Sequence, residues 1–499
     1  MIKRFNDIKV SYIPDTTVEI NNKSYLIHKV IEGEDILVDT DGKYPTLKEV
    51  VKKSPYRINY NPNDCGGCNF EHVTYDYEVE LKKKYLNDLF KNFHLKNIDF
   101  IEAKDYLNYR NKTIMTYKLS KAKRVVCGLY EEYSHDILPT TNNILQSKKS
   151  NEIIVKLNEI LTKYKIKPYD EKTNDGILKH VLVRYGFNSK EIMLVLVTNG
   201  EILPARNNIL KDIKNLNLGI TTIIQNFNPR KTNVVLGERQ KILDGPGFIY
   251  ENIGDYKFKI SPQSFFQINT AGIETLYNTA IKKAGLTKND LVIDAYCGVG
   301  TISIFASKYA KKVIGVELNK NAVNDAKINA KINNINNVEF ICDDATNYIT
   351  NLAKYKNKVD AVIMDPPREG STKAFINAIS YLETKKVIYI SCNPETLKRD
   401  LYMFFDNDYV LESITGVDMF PRTVHTECIA VLKKDDELAS LEKLAKISKN
   451  GGNVLEELSK KNRTDSNKMR VIPKADIEMM REDQYEKTGK IQNKKYKKY

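Results

Sequence analysis

The sequence predicts an α/β protein. Its C-terminal half reads as a Rossmann-like, parallel-rich, doubly wound sheet, preceded by an α+β central region and a small N-terminal β-barrel. Three observations carry this. From residue 261 onward, apolar runs alternate with amphipathic helical stretches, the pattern of parallel strands joined by helical crossovers. Between about 98 and 260, strand-like runs recur without that alternation, among them ILKHVLVRYGF, EIMLVLVTN and TTIIQNF. Residues 1–54 hold short β-like runs (IKVSYI, TVEI, SYLIHKVI, DILVD) between Asn, Gly and Asp turns, the mark of a small barrel.

Each unit follows from its own stretch. The barrel, 1–54, gives way to a central domain, 55–260, which opens with CGGC at 65–68 and the helical YEVELKKKYLNDLFKNF. The third unit, 261–434, begins with the helix TAGIETLYNTAIKKAG. It then runs through the strand LVIDAY, a Gly turn, the helix TISIFASKYA and the strands KVIGVEL, VEFICDD, DAVIMDPP and KKVIYISC. Residues 435–499 turn polar, with 16 basic and 12 acidic side chains, and read as weak helix or disorder.

Composition narrows the class. A chain of 499 residues with 41% hydrophobic content can bury at least one large core. No apolar run approaches the length of a membrane span, and MIKRFNDIKV lacks the apolar core of a signal peptide. Seven scattered cysteines, an odd number, argue against a disulfide framework. A cytoplasmic monomer is the simplest expectation. The formal charge of +14 suits a polyanionic partner such as nucleic acid, although a Lys/Asn/Ile-rich proteome would give a similar balance.

Ligands of an open parallel sheet bind beyond the carboxyl ends of its strands. The first such end reads DAYCGVGTIS, where Gly298 and Gly300 let backbone approach a ligand. Glu317, 23 residues after Asp294, ends the next strand and suits a ribose diol. A dinucleotide site wants a third glycine near 303, and this chain has Ser303 there. Asp294 on the strand itself favours a ligand with an amino-acid end, as in S-adenosylmethionine. Asp343-Asp344 could accept from an adenine amino group. The bland alternative is a set of solvated strand-end acids.

The fourth strand ends MDPPREG (364–370), with Arg368 where an amine-methylating enzyme would put a stacking aromatic. The fifth ends at Cys392 in YISCNPETL, which sets a thiol on the same rim. C5 of uracil is a poor nucleophile until a thiolate adds to C6, and a base must then take the C5 proton so that the thiol can leave. Glu427, in FPRTVHTECIAVL beside His425, is the candidate base.

These residues lie in segments that resemble the bacterial RNA uracil-5-methyltransferases acting on 23S ribosomal or transfer RNA. The resemblance covers about 30–432 and rests on SPYR (54–57), CGGC (65–68), YRNK (109–112), GLYEEYSHDI (128–137), LKHVLVR (178–184), QNFNPRKTNVVLGE (225–238), SFFQIN (264–269), DAYCGVGTIS (294–303), DPPREG (365–370), SCNP (391–394) and HTEC (425–428). It implies S-adenosylmethionine as cofactor, Cys392 as nucleophile and Glu427 as base. It places Gln267, Tyr296, Glu317 and Asp365 in the cofactor and substrate pocket, and it implies a TRAM-type OB barrel at the N-terminus. QNFNPRKTNVVLGE and YRNK lean toward 23S rRNA, with tRNA the alternative. A non-catalytic RNA-binding factor on the same fold is the contrasting reading, and it has no use for Cys392 and Glu427.

Many relatives hold an iron–sulfur cluster on four cysteines. Cys65 and Cys68 match two of them, but Asn59 and Asn143 stand at the other two positions, so no cluster is expected. Cys127, Cys342 and Cys428 sit in apolar contexts and read as small core residues, and Cys297 as packing beside the cofactor. Arg110, Lys112 and Lys179 are candidates for RNA phosphate contacts.

Overall fold

The computed structural model describes residues 1–435, apart from 10–14, 43, 62–64, 94, 96, 121, 131–136, 141, 232–233 and 356–357. The charged tail beyond Asp435 and most of GLYEEYSHDI therefore lie outside the described residues.

The alternating pattern after residue 261 builds an eight-stranded sheet. Its order is Val338–Cys342, Lys312–Glu317, Leu291–Ala295, Ala361–Met364, Lys386–Ser391, Glu427–Lys434, Tyr409–Val417 and Asp99–Ile101. The first five strands are parallel, and Glu427–Lys434 runs antiparallel to both its neighbours. The central strands are apolar along their whole length because helices cover both faces. The winding reverses between Leu291–Ala295 and Ala361–Met364, and a ligand crevice opens at such a switch point. Several crossover helices start on a side-chain cap: Asn319, Asp344, Thr372 and Asn393 each accept a backbone N–H of the first turn. Each cap is worth about 1 kcal/mol.

The central region forms a second sheet of seven strands, from Arg239–Asp244 through Thr222–Phe227, Ile192–Thr198, Leu178–Tyr185, Lys112–Leu119 and Val125–Tyr130 to Ile137–Pro139. Side chains alternate across it, so its two faces bury different neighbours. Met115, Val181 and Val183 pack with helices Lys148–Lys163 and Arg206–Asn215. Leu182, Met193, Val195 and Ile224 join the core of the eight-stranded sheet, beside Ile388 and Ile429.

At the N-terminus, Ile2–Phe5, Asp35–Asp39 and Thr46–Lys52 make a three-stranded sheet, and Thr16–Ile20 pairs with Lys23–Ile27. Both enclose one small core around Val18, Ile27, Ile36 and Val38. Buried Glu34 holds SPYR to this core, accepting two hydrogen bonds from the Arg57 guanidinium at 2.6 and 2.7 Å and one from Ser54 N.

Three expectations need correction. Residues 75–101, grouped by sequence with the central region, pack instead on the eight-stranded sheet. Leu86 and Phe90 of helix Tyr75–Phe90 share a core with Leu401 and Phe404, and Asp99–Ile101 pairs in parallel with Tyr409–Val417. So short a strand carries no readable periodicity, and the helix's apolar stripe does not say which sheet will cover it. Cys342 is exposed rather than buried, because it closes an edge strand, while Cys127 and Cys428 are buried. Cys65 and Cys68, which the scattered cysteine count did not pair, are joined by a disulfide with Cα atoms 5.6 Å apart. Gly67, at φ +89°, makes the tight turn that lets them meet.

Candidate active site

The carboxyl ends of the parallel strands converge at the switch point. Leu291–Ala295 passes into Tyr296-Cys297-Gly298, with Tyr296 at φ +67° and Gly298 at +54°. A non-glycine residue held in this region stores local strain, which elsewhere marks functional turns. The Tyr296 ring is held by Phe375, with centroids 5.7 Å apart. A Cβ on Gly300 would lie 2.5 Å from Phe340, whereas one on Gly298 would meet nothing closer than Phe265 O at 4.0 Å. Gly300 is thus needed for packing, and Gly298 opens room above the turn.

Acidic groups surround that room. Asp294 is fully buried, and Ser303 Oγ donates to its Oδ2 at 2.5 Å. Its Oδ1 is buried without a partner, and burial pushes the carboxyl up to about 7. Glu317 accepts from Gly298 N at 3.1 Å and Asn319 N at 2.7 Å, which fixes it beside the glycine turn. Gln267 Nε2 donates to Asp365 Oδ2 at 3.4 Å. Asp343 and Asp344 contribute differently from the other strand ends. Asp344 caps the following helix through Asn347 N, and Asp343 accepts from Asp344 N.

The reaction rim lies one strand further. Ser391 pairs with Cys428 across the antiparallel step. One residue beyond on each chain, that register sets Cys392 opposite Glu427. Asn393 follows as helix cap and Pro394 as first helical residue, so SCNP spells a strand end turning directly into a helix. A helix N-terminus favours a thiolate, yet the Cys392 thiol is pushed up to about 11. Burial is the first cause, then the Glu427 and Asp365 carboxylates, and these outweigh Arg368, which pulls the other way. Burial, together with the Asp365 charge, also holds Glu427 well above the ordinary carboxylate range, and its Oε2 has no partner.

Arg368 links the two loops of the rim. Its carbonyl accepts from Asn393 Nδ2 at 3.3 Å and Thr396 Oγ1 at 3.1 Å. Its Nη2 lies 3.3 Å from His425 Nε2. Burial and then the Arg368 charge lower His425 to about 4, so the ring is neutral and accepts from the guanidinium. That makes it a weak base and leaves Glu427 the stronger candidate.

Comparison with known proteins agrees with this geometry. The family described as tRNA (Uracil-5-)-methyltransferase matches residues 74–435. The chain belongs to the RNA uracil-5-methyltransferase family. An uncharacterized RNA methyltransferase of Oceanobacillus iheyensis is 35% identical over 444 residues, 86% of this chain and 96% of that protein. One from Clostridium acetobutylicum is 37% identical over 422 residues, 83% and 88% of the two chains. The crystal structure of Pyrococcus abyssi tRNA (uracil-54, C5)-methyltransferase, in complex with S-adenosyl-L-homocysteine, superposes with a TM-score of 0.69 at 27% identity, covering 86% of this chain and all of that one.

The protein is therefore an S-adenosylmethionine-dependent RNA methyltransferase, and its residues fit that cofactor. Asp294 Oδ1 lacks the donor that an ammonium would supply, Glu317 keeps lone pairs for ribose hydroxyls, and the space over Gly298 is free. An iron–sulfur cluster does not fit. Cys65 and Cys68 supply only two sulfurs, and in place of a further one Asn143 lies beside them with Oδ1 3.9 Å from Cys65 Sγ and Nδ2 donating to Gly66 O at 3.3 Å.

Sequence reading missed the groups that hold the loop before Glu427. Lys82 Nζ lies 2.8 Å from both Glu78 and Asp418, all three fully buried, and Tyr75 Oη donates to Asp418 at 2.8 Å. Arg422, at φ +67°, donates to the Phe70 and Val73 carbonyls, while its own carbonyl accepts from Asn69 and Phe70 N. Glu78 and Lys82, four apart on a helix, look like an ordinary surface pair. The available signal was Asp418 and Arg422, two charges bracketing an apolar MFP just before the proposed base.

Proposed function

We propose that the protein methylates C5 of a uracil in RNA through a covalent adduct between Cys392 and C6, resolved by Glu427. The adjacency of Cys392 and Glu427, each one residue beyond the Ser391–Cys428 pair and close enough for the carboxylate to act on the thiol, carries this reading. Bound S-adenosylmethionine supplies an electrophilic methyl group. Gln267, Tyr296, Glu317 and Asp365 line its pocket. The Cys392 thiol gives up its proton to solvent and bonds to C6 as thiolate, and the C5–C6 electron pair moves toward the ring carbonyl, which makes C5 nucleophilic. Once C5 carries its methyl, the Glu427 carboxylate removes the C5 proton. The returning electrons restore the C5–C6 double bond and break the C6–S bond, and Cys392 leaves as thiolate. The Arg368 charge favours the ionised forms of both groups.

A stacked target base must be flipped out at a cost of a few kcal/mol, and the central region and the basic surface supply the grip on the surrounding RNA. The QNFNPRKTNVVLGE and YRNK segments favour 23S rRNA, whereas the tRNA activity of the Pyrococcus abyssi enzyme favours tRNA. Mass spectrometry of both RNAs from a deletion strain would separate the two. We assign the enzyme to the cytoplasm as a monomer.

Glu427→Gln provides the mechanistic test. This variant should add to the ring and methylate it but fail to eliminate. It should therefore accumulate a protein–RNA complex that survives denaturation and carries labelled methyl, while turnover falls about 10²- to 10⁴-fold. Normal turnover without a trapped complex would assign the base to another group.

A further inference from the structure

Among the described residues, four cations, Arg368, Arg110, Lys112 and Arg184, lie between the reaction rim and the central sheet and form no ion pair with a carboxylate. Arg368 stands at the rim, held by neutral His425. The Arg110 charge bears on the same imidazole, and Arg110 Nε is buried without a partner. Lys112 opens the strand Lys112–Leu119 two residues further along the chain. Arg184 is its direct cross-strand partner. Arg184 is 1% exposed, its Nη2 donates to Ser264 O at 3.3 Å, and its Nε and Nη1 have no partner.

This arrangement costs stability. Like charges directly opposite on a sheet repel, and a buried guanidinium with orphan donors loses its hydration uncompensated. Burial, reinforced by Arg184, lowers Lys112 to about 8. The acid that acts on Arg184, Asp325, is already held by Ser264 Oγ, Ser261 N and Lys259. By contrast, buried Lys82 is neutralised by Glu78 and Asp418, and buried Arg422 lies 3.6 Å from Glu78. A protein that pairs Lys82 so fully and leaves this row open has left room for an anion.

We infer that Arg368, Arg110 and Lys112, backed by Arg184, form a phosphate track that grips the RNA backbone next to the flipped uridine. The row starts at the loop bonded to the nucleophile's own turn, so a ligand there would be continuous with the substrate. A phosphodiester chain has that continuity and a charge at every residue. The inference rests on RNA being the substrate.

The test is filter binding of a uridine-containing RNA fragment to the full chain with S-adenosylhomocysteine present, across a salt series. Lys112→Met and Arg110→Met should each weaken binding about tenfold. Each should also flatten the slope of log K against log salt by about 0.7, the value of one lost contact on single-stranded RNA. Lys112→Arg should restore most of the loss. Lys118→Met, on the outer half of the same strand, serves as control and should change neither. Unchanged affinity and slope in both track variants would overturn the inference, as would weakened S-adenosylhomocysteine binding with RNA binding intact, since the anion would then be the cofactor's carboxylate. Failure of the unaltered protein to bind or methylate any RNA would instead remove the functional reading beneath it.

Discussion

Two cysteine-bearing turns in this protein invite comparison. Both are short: the first leads into Asn69 and Phe70, which bond to Arg422 before Glu427, and the second is bonded to the Arg368 carbonyl. The Cys65–Cys68 turn is buried against Tyr109 and Leu145, with neutral Asn143 beside the sulfurs. The Cys392 turn is half-buried and free, with Glu427 and Asp365 raising its thiol pKa and Arg368 lowering it. The first environment holds sulfur as structure. The second surrounds it with groups that can gain and lose protons. Burial first, and then the two carboxylates, hold the Cys392 thiol protonated, and Arg368 pulls it toward the thiolate.

The largest break in this comparison should come from Cys392→Ala. Transfer of labelled methyl to RNA should fall at least about 10⁴-fold, as when a covalent nucleophile is removed. Calorimetry should find S-adenosylmethionine binding unchanged, because the cofactor-lining residues lie on other strand ends. Methylation above background would mean that the thiol is not the nucleophile.

A smaller effect sharpens the same turn. An acid whose pKa is raised holds less of its charged form at neutral pH. Iodoacetamide labelling of Cys392 in the free enzyme should therefore be slow at pH 7. It should climb about tenfold per pH unit until it levels near pH 11. Glu427→Gln removes a carboxylate that opposes ionisation, so it should label faster wherever Glu427 would be ionised, below that plateau. Slower labelling in this variant would reverse the sign assigned to the pair.

The smallest effects belong to the other turn. Asn143→Ala removes the bond to Gly66 O and the acceptor for Leu145 N, and should cost about 1–3 kcal/mol of stability. Denaturant melts would measure this, and Cys392 labelling should not change. Protein purified without oxygen should be colourless and iron-free by metal analysis, since two thiols rarely hold a cluster. A stoichiometric four-iron cluster would show donors other than those recognised.

The eight-stranded sheet was legible because its strands are long apolar runs separated by helices, and the site because ligands gather where such strands end. Cys392, Glu427, Glu317 and Asp365 all stand at those ends in the fold. The rest depended on distant pairings that local pattern cannot express. Asp418 meets Lys82 across 336 residues, and Arg184 meets Ser264 across 80. The role of Ser303 was hidden for a different reason. It read as a missing glycine, and only the buried Asp294 beside it shows why a hydroxyl is there.

The edge strand Asp99–Ile101 sets an order of events for the growing chain. It leaves the ribosome early but must await Thr415–Val417, more than 300 residues later, before it has anything to pair with. Contacts so remote along the sequence form slowly, and until then helix Tyr75–Phe90 has no sheet to cover. The catalytic unit is therefore not a piece that can be cut free at residue 261. A fragment starting there would expose the edge of Tyr409–Val417 and strip Asp418 of Lys82 and Tyr75, which leaves the loop before Glu427 unmoored.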